Sequence, residues 1–292
     1  MSWHSTSDFF DKIRSIADDD WSRLLTESVQ DSHVQGISFP TFPDSALQRA
    51  IHGHSGEQSI LEALKYYREV MRYYRFGQGS FSESSTLLDF GCGWGRILRP
   101  FMRDFLPNNI FAMEPHPARV REARMHNPYV NIIQSPYLPP VSCRDESFDL
   151  IVSWSVFSHL DEFSTRKWFS EFWRILKPGG VIAVTTQGRS FIEQCDTARK
   201  RISAGEKDLH PWMHALAKSF VDRERYDEEY TKGYYLFSGT SGTIPDVRAR
   251  YGEAIIPPLF VKNALAEGWD FIDHMDDPKR LPQALIVLQR PR

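Results

Sequence analysis

Asp89-Phe90-Gly91-Cys92-Gly93-Trp94-Gly95 sets three glycines at alternate positions behind an acid. Glycine lets a backbone turn tightly and approach a ligand closely, and a helix opening there offers unpaired amides. A plain strand-to-helix turn is the other reading of the same residues. Glu114 lies 19 residues past Gly95, where an acid can accept hydrogen bonds from a ribose diol. An acid favoured by the next helix's macrodipole would look the same. Ser135-Pro136-Tyr137 and Ser153-Trp154-Ser155 each leave a short β-rich run, and loops at the carboxyl ends of parallel strands line a ligand crevice. Tyr137 could cover an adenine face or simply pack; Trp154 could border a ligand or fill core.

His159, just past Phe148-Asp149-Leu150-Ile151-Val152-Ser153, has the side chain whose pKa range suits a general base at neutral pH. Capping or packing is its alternative role. His210, Trp212 and His214 cluster in sequence, but a metal site needs a third ligand and none is evident, so no metal is expected. Tyr251-Gly252-Glu253, ahead of Ile255-Ile256-Pro257-Pro258, is a substrate contact or a structural turn. Tyr251, Glu253 and Trp212 are the candidate substrate residues.

Positioning these groups falls to alternating elements. Ile60, Leu64, Tyr67, Met71 and Tyr74 recur at three- and four-residue steps and predict one face of a helix from Ser59, closed by Gly77 and Gly79. Strands are expected at 86–90, 110–113, 130–133, 148–153 and 181–185. Helices are expected through Ile97, Leu98, Phe101 and Met102, from Pro117, and through Trp168, Phe169, Phe172, Ile175 and Leu176, the last stopped by Lys177-Pro178-Gly179-Gly180. Strands at 269–272 and 284–288 form a closing antiparallel pair. Strand–helix alternation means a largely parallel sheet. The expected organisation is an N-terminal helical and loop segment at 1–57 that contributes to a lid, a core at 58–187, a helical insertion at 188–262 that caps the substrate, and the closing pair at 263–292.

Composition narrows the class. Over 292 residues, hydrophobic residues are 41% and charged residues 25%, ordinary for a globular chain. A net charge of −3 argues against a dedicated nucleic-acid binder. Cys92, Cys143 and Cys195 are scattered, with no CxxC pair for zinc or a disulfide framework. No signal segment or membrane-length apolar run stands out, so the expected compartment is cytoplasmic, with no membrane partner.

Asp89 to Arg96, Glu114, Asp145 to Ile151 and Leu176 to Gly180 together resemble the class I S-adenosylmethionine-dependent methyltransferases in order and spacing, most strongly over Leu87 to Thr186. The resemblance implies an α/β, Rossmann-like, seven-stranded, mostly parallel sheet of order 3-2-1-4-5-7-6, strand seven antiparallel, with the helical insertion between strands five and six. It implies that Asp89, Gly91, Gly93 and Gly95 hold the methionine end of S-adenosylmethionine, and that Glu114 with Pro115 holds the ribose. Ser135, Pro136 and Tyr137 would flank the adenine, although the acid often found in that loop is missing, and Ser153 and Trp154 would border the cofactor. S-adenosylhomocysteine is then the product. Dehydrogenases differ in carrying Gly-x-Gly-x-x-Gly and in lacking the Lys-Pro-Gly-Gly turn.

Metal-dependent catechol methyltransferases place an acid near the end of strand four, and Ser153 to Phe157 holds none. The Asn/Asp-Pro-Pro-aromatic motif of amino methyltransferases and the paired glutamates of protein arginine methyltransferases are not recognisable. Elimination favours a small-molecule or glycan acceptor, methylated on oxygen with His159 as base. A Tyr-Gly-Glu stretch like 251–253 recurs in some family members. Alternatives are a non-catalytic binding or scaffold protein that kept the fold, and a protein or RNA acceptor. The aromatic content of 188–262 would enclose the acceptor, helped by hinges at Gly239 and Gly242, or form a homodimer interface.

Overall fold

Trp21 and Phe39, whose ring centroids lie 5.8 Å apart, are large side chains the chain must hide. It buries them with α1 (Asp18–Glu27) and a small hairpin of β1 (His33–Val34) and β2 (Ile37–Ser38). The computed structural model describes residues 9–78, 81–239 and 251–292. Asp44 accepts the amide of Leu47 (2.9 Å) and so caps α2 (Ser45–His52). In α3 (Glu57–Gln78), Ile60, Leu64, Tyr67, Met71 and Tyr74 are all buried, as their periodicity predicts. Gly77 lies inside that helix rather than closing it, and Gly79 is outside the described residues.

Every residue of β3 (Leu87–Phe90) is buried, the mark of a strand covered on both faces. The helix expected after the glycine loop does not form. Residues 91–98 run in turns and Arg99–Arg103 is a 3₁₀ helix. Pro100 explains this, because it lacks an amide N–H and its ring clashes with the carbonyl four residues back. Then follow β4 (Ile110–Glu114), α4 (Pro117–His126), β5 (Asn131–Gln134) and β6 (Phe148–Ser153).

Asp161 caps α5 (Glu162–Ile175), whose Trp168, Phe169, Phe172 and Ile175 are buried. β7 (Leu176–Thr186) begins at once, so Lys177-Pro178-Gly179-Gly180 ends the helix without a separate loop. Gly179 takes φ 81°, its amide donates to the Arg290 carbonyl (2.8 Å), and the Arg290 amide returns a bond to Gly180 (2.9 Å). The segment after β7 holds α6 (Ser190–Ser203), α7 (Pro211–Lys218), α8 (Arg223–Lys232) and a hairpin of β8 (Leu236–Ser238) with β9 (Glu253–Ile255). The chain closes with β10 (Asp270–Met275) and β11 (Ala284–Gln289).

β3 pairs in parallel with β4 and β6, β4 pairs in parallel with β5, and β11 is antiparallel to β7 and β10. The seven strands run β5-β4-β3-β6-β7-β11-β10. Counted along the chain this is the expected order 3-2-1-4-5-7-6 with the seventh antiparallel. Two compact units divide the chain. The first is Met1–Pro136 with Ser147–Trp154, and the second is Tyr137–Glu146 with Ser155–Arg292. No helix among the described residues is long and apolar enough to cross a membrane.

Candidate functional site

In the first unit, the end of β3 delivers Asp89 into the glycine loop. Gly91, Gly93 and Gly95 take φ of 74°, 57° and 90°, backbone conformations that side-chain-bearing residues rarely adopt. The amides of Gly91 and Cys92 both donate to the Met113 carbonyl (2.8 and 3.0 Å), fastening the loop to the end of β4. One residue on, Glu114 is 3% exposed, and its carboxylate accepts the amides of Gly93 (3.0 Å) and His116 (2.9 Å). Pro115 follows, half-buried. Ser153, at the end of β6, donates its hydroxyl to the Phe90 carbonyl (2.9 Å), and its amide donates to the Tyr66 hydroxyl (3.2 Å). Trp154 packs edge-on against Tyr66, ring centroids 5.1 Å apart.

S-adenosylmethionine, which the resemblance implies, brings an ammonium, a carboxylate, a ribose diol and an adenine. Among the described residues, Asp89 Oδ2 and Ser135 Oγ are buried without a hydrogen-bond partner, and buried polar groups are otherwise almost always paired. Burial pushes Asp89 up to about 7, with Glu114 adding to the rise and the Arg96 guanidinium opposing it. A carboxylate held so near neutrality gains from an arriving cation. Glu114 keeps acceptor capacity beyond its two amides. The donors and acceptors therefore fit the cofactor. Ser135 is buried, Pro136 is exposed, and the Ser135 amide donates to the Glu114 carbonyl (3.1 Å).

Tyr137 belongs to the second unit, where its carbonyl accepts the Trp168 indole N–H (3.3 Å). The second unit also brings together residues far apart in sequence. The amide of Gly252 donates to the His159 carbonyl (3.0 Å) and that of Ala254 to the Ser158 carbonyl (2.8 Å), so 251–254 runs alongside 158–160. Tyr251 stacks on the His159 imidazole at 5.0 Å and 19°. His159 Nδ1 lies 2.8 Å from the Gly252 carbonyl and 3.8 Å from Glu253 Oε2. A carbonyl only accepts, so Nδ1 carries the proton, and in the neutral ring Nε2 is left as a lone pair. Glu253 also accepts the Gln187 amide (3.1 Å), and burial raises its pKa while His159 opposes the rise.

Trp212 is not part of this group. It sits on α7, about half exposed, beside a cavity of about 330 Å³ lined also by Ser190, Glu193, Thr197 and Met213. His210 accepts the Trp212 amide (3.2 Å), a helix-capping role. Most aromatics of this segment are spent elsewhere. Phe220 and Tyr230 are buried with Phe191, Ile192 and Leu236 in a core of the unit's own, and Tyr226 packs against it. The Tyr235 hydroxyl donates to the Leu160 carbonyl (2.8 Å). Gly242 lies outside the described residues. Sequence reasoning missed Arg96, Glu62 and His52, which surround the glycine loop. Arg96 directly follows Gly95, and that adjacency was the available signal.

A methyltransferase-domain family matches residues 87–180. A "Probable S-adenosylmethionine-dependent methyltransferase" of Mycolicibacterium smegmatis is 27% identical over 237 residues, 78% of this chain and 84% of that protein. Phosphoethanolamine N-methyltransferase 2 of Caenorhabditis elegans is 29% identical, over 40% of this chain and 27% of that one. A ubiquinone biosynthesis O-methyltransferase of Nitrobacter winogradskyi is 28% identical, over 36% and 40%. This chain thus spans less than half the length of these last two relatives. A solved S-adenosylmethionine-dependent methyltransferase from Clostridium acetobutylicum shares the fold with a TM-score of 0.50 at 11% identity, covering 85% of this chain and 97% of that one.

Proposed function

Since this chain is a class I S-adenosylmethionine-dependent methyltransferase, we propose that it methylates a hydroxyl of a small molecule or glycan, with His159 as the general base. The cofactor bound by the first unit supplies a methyl group already activated on a sulfonium, so alignment of the acceptor is the protein's main task. Asp89 and the loop of Gly91, Gly93 and Gly95 receive its methionine end, Glu114 with Pro115 its ribose, and Ser135 and Pro136 its adenine side. Ser153 and Trp154 border it, and Tyr137 is proposed for the adenine face.

His159 carries the acceptor half of the proposal. The 2.8 Å bond from Nδ1 to the Gly252 carbonyl fixes the tautomer and leaves Nε2 free to take a proton. Glu253, 3.8 Å from the same ring, stabilises the imidazolium that forms. Tyr251, stacked on the ring, holds its plane and is the apolar surface offered to the acceptor. An oxygen acceptor needs such a base because its proton must leave. Relatives acting on nitrogen and on oxygen both occur, so the choice of oxygen rests on His159. Trp212, away from this group, is kept as a substrate contact only for an acceptor long enough to reach α7.

An acceptor screen across hydroxyl, amine and sugar compounds, run with wild type and His159→Ala, tests the reading. Turnover of a hydroxyl acceptor that falls about 10²–10⁴-fold in the variant supports it. Full activity of His159→Ala removes both the base and the argument for oxygen.

A further inference from the structure

The glycine loop is gripped from the N-terminal side at two alternate residues. Trp94, between Gly93 and Gly95, is almost wholly buried and donates its indole N–H to His52 Nε2 (3.1 Å), at the end of α2. Arg96, 4% exposed, donates Nη1 to the Ser59 carbonyl (3.1 Å) and to Glu62 Oε2 (2.5 Å), both on α3. His54 Nε2 lies 3.2 Å from the same Glu62 oxygen. The Arg96 guanidinium also stands 5.8 Å over the Trp154 ring. On the far side of the loop, the Asn127 amide donates to the Trp94 carbonyl (2.7 Å) and occupies the space where Gly95 would carry a side chain, 2.4 Å away.

Such an arrangement exceeds what a turn requires. Because Pro100 opposes an α-helix after the loop, residues 94–98 run in turns that lead into the 3₁₀ helix instead of an α-helical ladder. The polar contacts from α2 and α3 take that place. Burial alone would raise Glu62, but His54 and Arg96 together carry it down to about 2, so it is ionised at any working pH. His52 is pushed down to about 3, chiefly by burial with Arg96 and His54 adding, so it stays a neutral acceptor for Trp94.

We infer that Glu62 is a positioning residue for cofactor binding, holding Arg96 so that the glycine loop keeps its open form and a guanidinium remains beside Asp89. The inference rests on the assignment of Asp89 and its loop to the methionine end. Asp89 is faced by Arg96, Glu114, the Cys92 thiol, the Tyr66 phenol and the Leu98 amide. Arg96 is the larger of the two, with the Leu98 amide, that favour its ionised state. Loosening Arg96 therefore makes Asp89 harder to ionise. The ligand's ammonium would then meet a neutral acid over a wider pH range.

Calorimetric titration of S-adenosylhomocysteine into wild type, Glu62→Gln and Glu62→Asp, from about pH 6 to about pH 9, tests this. The expected result is about tenfold weaker binding by Glu62→Gln near neutrality, a pH midpoint of affinity moved upward, and partial recovery in Glu62→Asp. A merely structural residue would lower the melting temperature and leave that midpoint in place. Trp94→Phe, which deletes one N–H and keeps the ring, serves if Glu62→Gln does not fold, and is expected to weaken binding by a smaller factor. Glu114→Ala separates the two levels. If it weakens binding while Glu62→Gln and Trp94→Phe do not, the positioning role is wrong and the site stands. If none of the three changes affinity, both are wrong.

Discussion

The glycine loop of the first unit carries buried acids and the His159 group of the second a half-buried one, and the two are assembled differently. Around the loop, backbone does most of the holding: Met113 receives two amides, and Glu114 receives those of Gly93 and His116. Around His159, residues from two distant stretches, 158–160 and 251–254, must come together before the Nδ1 contact exists. Backbone donors survive most substitutions, so the first region presents a fixed ligand frame. The second is joined by backbone pairing between distant stretches, and the proposed acceptor role rests there on the side chains of His159, Tyr251 and Glu253. A backbone frame for the cofactor and a side-chain group for the acceptor is the division this difference supports.

The contrast is broken most severely at Gly95. A Cβ there would lie 2.4 Å from Asn127 Nδ2, at a φ of 90°, so Gly95→Ala should abolish detectable S-adenosylhomocysteine binding by calorimetry while circular dichroism shows a folded chain. Retained affinity would mean the loop is not a fixed frame. His159→Ala should do the opposite, lowering methyl transfer by about 10²–10⁴-fold with cofactor affinity unchanged. A parallel loss of cofactor binding would erase the division of labour.

Glu114→Ala should cost about 1–3 kcal/mol of cofactor binding, the scale of lost charge-assisted hydrogen bonds. An unaltered dissociation constant would place the ribose elsewhere. The smallest effect concerns pH. Asp89, pushed up to about 7 by burial, binds its proton more tightly folded than unfolded. Its contribution to stability is complete below the ordinary carboxylate pKa of about 4 and is lost as pH rises through about 7. His52, held neutral far below its ordinary value, acts in the opposite sense over the same pH range, so the Asp89 part is read as a difference. The melting temperature of ligand-free Asp89→Asn relative to wild type should be higher at about pH 8 than at about pH 5. A difference that does not grow with pH would contradict the burial argument.

The first region is largely legible in the sequence because the residues that build it stand close together along the chain. Acid, alternating glycines and an acid one strand later stand in the order the structure uses, and β3, β4, β5 and β6 fall within a residue or so of their hydrophobic runs. The features that the sequence does not display have a local cause or a distant one. Pro100 gives a local reason for the missing helix after the loop, against the helical periodicity of Ile97, Leu98, Phe101 and Met102. Glu62, a charged residue on an amphipathic helix, looks like an ordinary solvated position until the fold sets Arg96 against it. In the second unit His159, Tyr251 and Glu253 were each visible as candidates, but their meeting depends on pairing across more than ninety residues. Aromatic content after β7 looks alike in sequence whether it forms a wall or a core. Phe220 and Tyr230 went to the core.

The first unit is proposed to bind S-adenosylmethionine through the loop from Asp89 to Gly95 together with Glu114. Isothermal titration of the wild-type chain with S-adenosylhomocysteine and, separately, with NADH tests it most directly. Binding of S-adenosylhomocysteine at one site per chain, with no heat from NADH, is the predicted result. Saturable binding of NADH with no response to S-adenosylhomocysteine would contradict it.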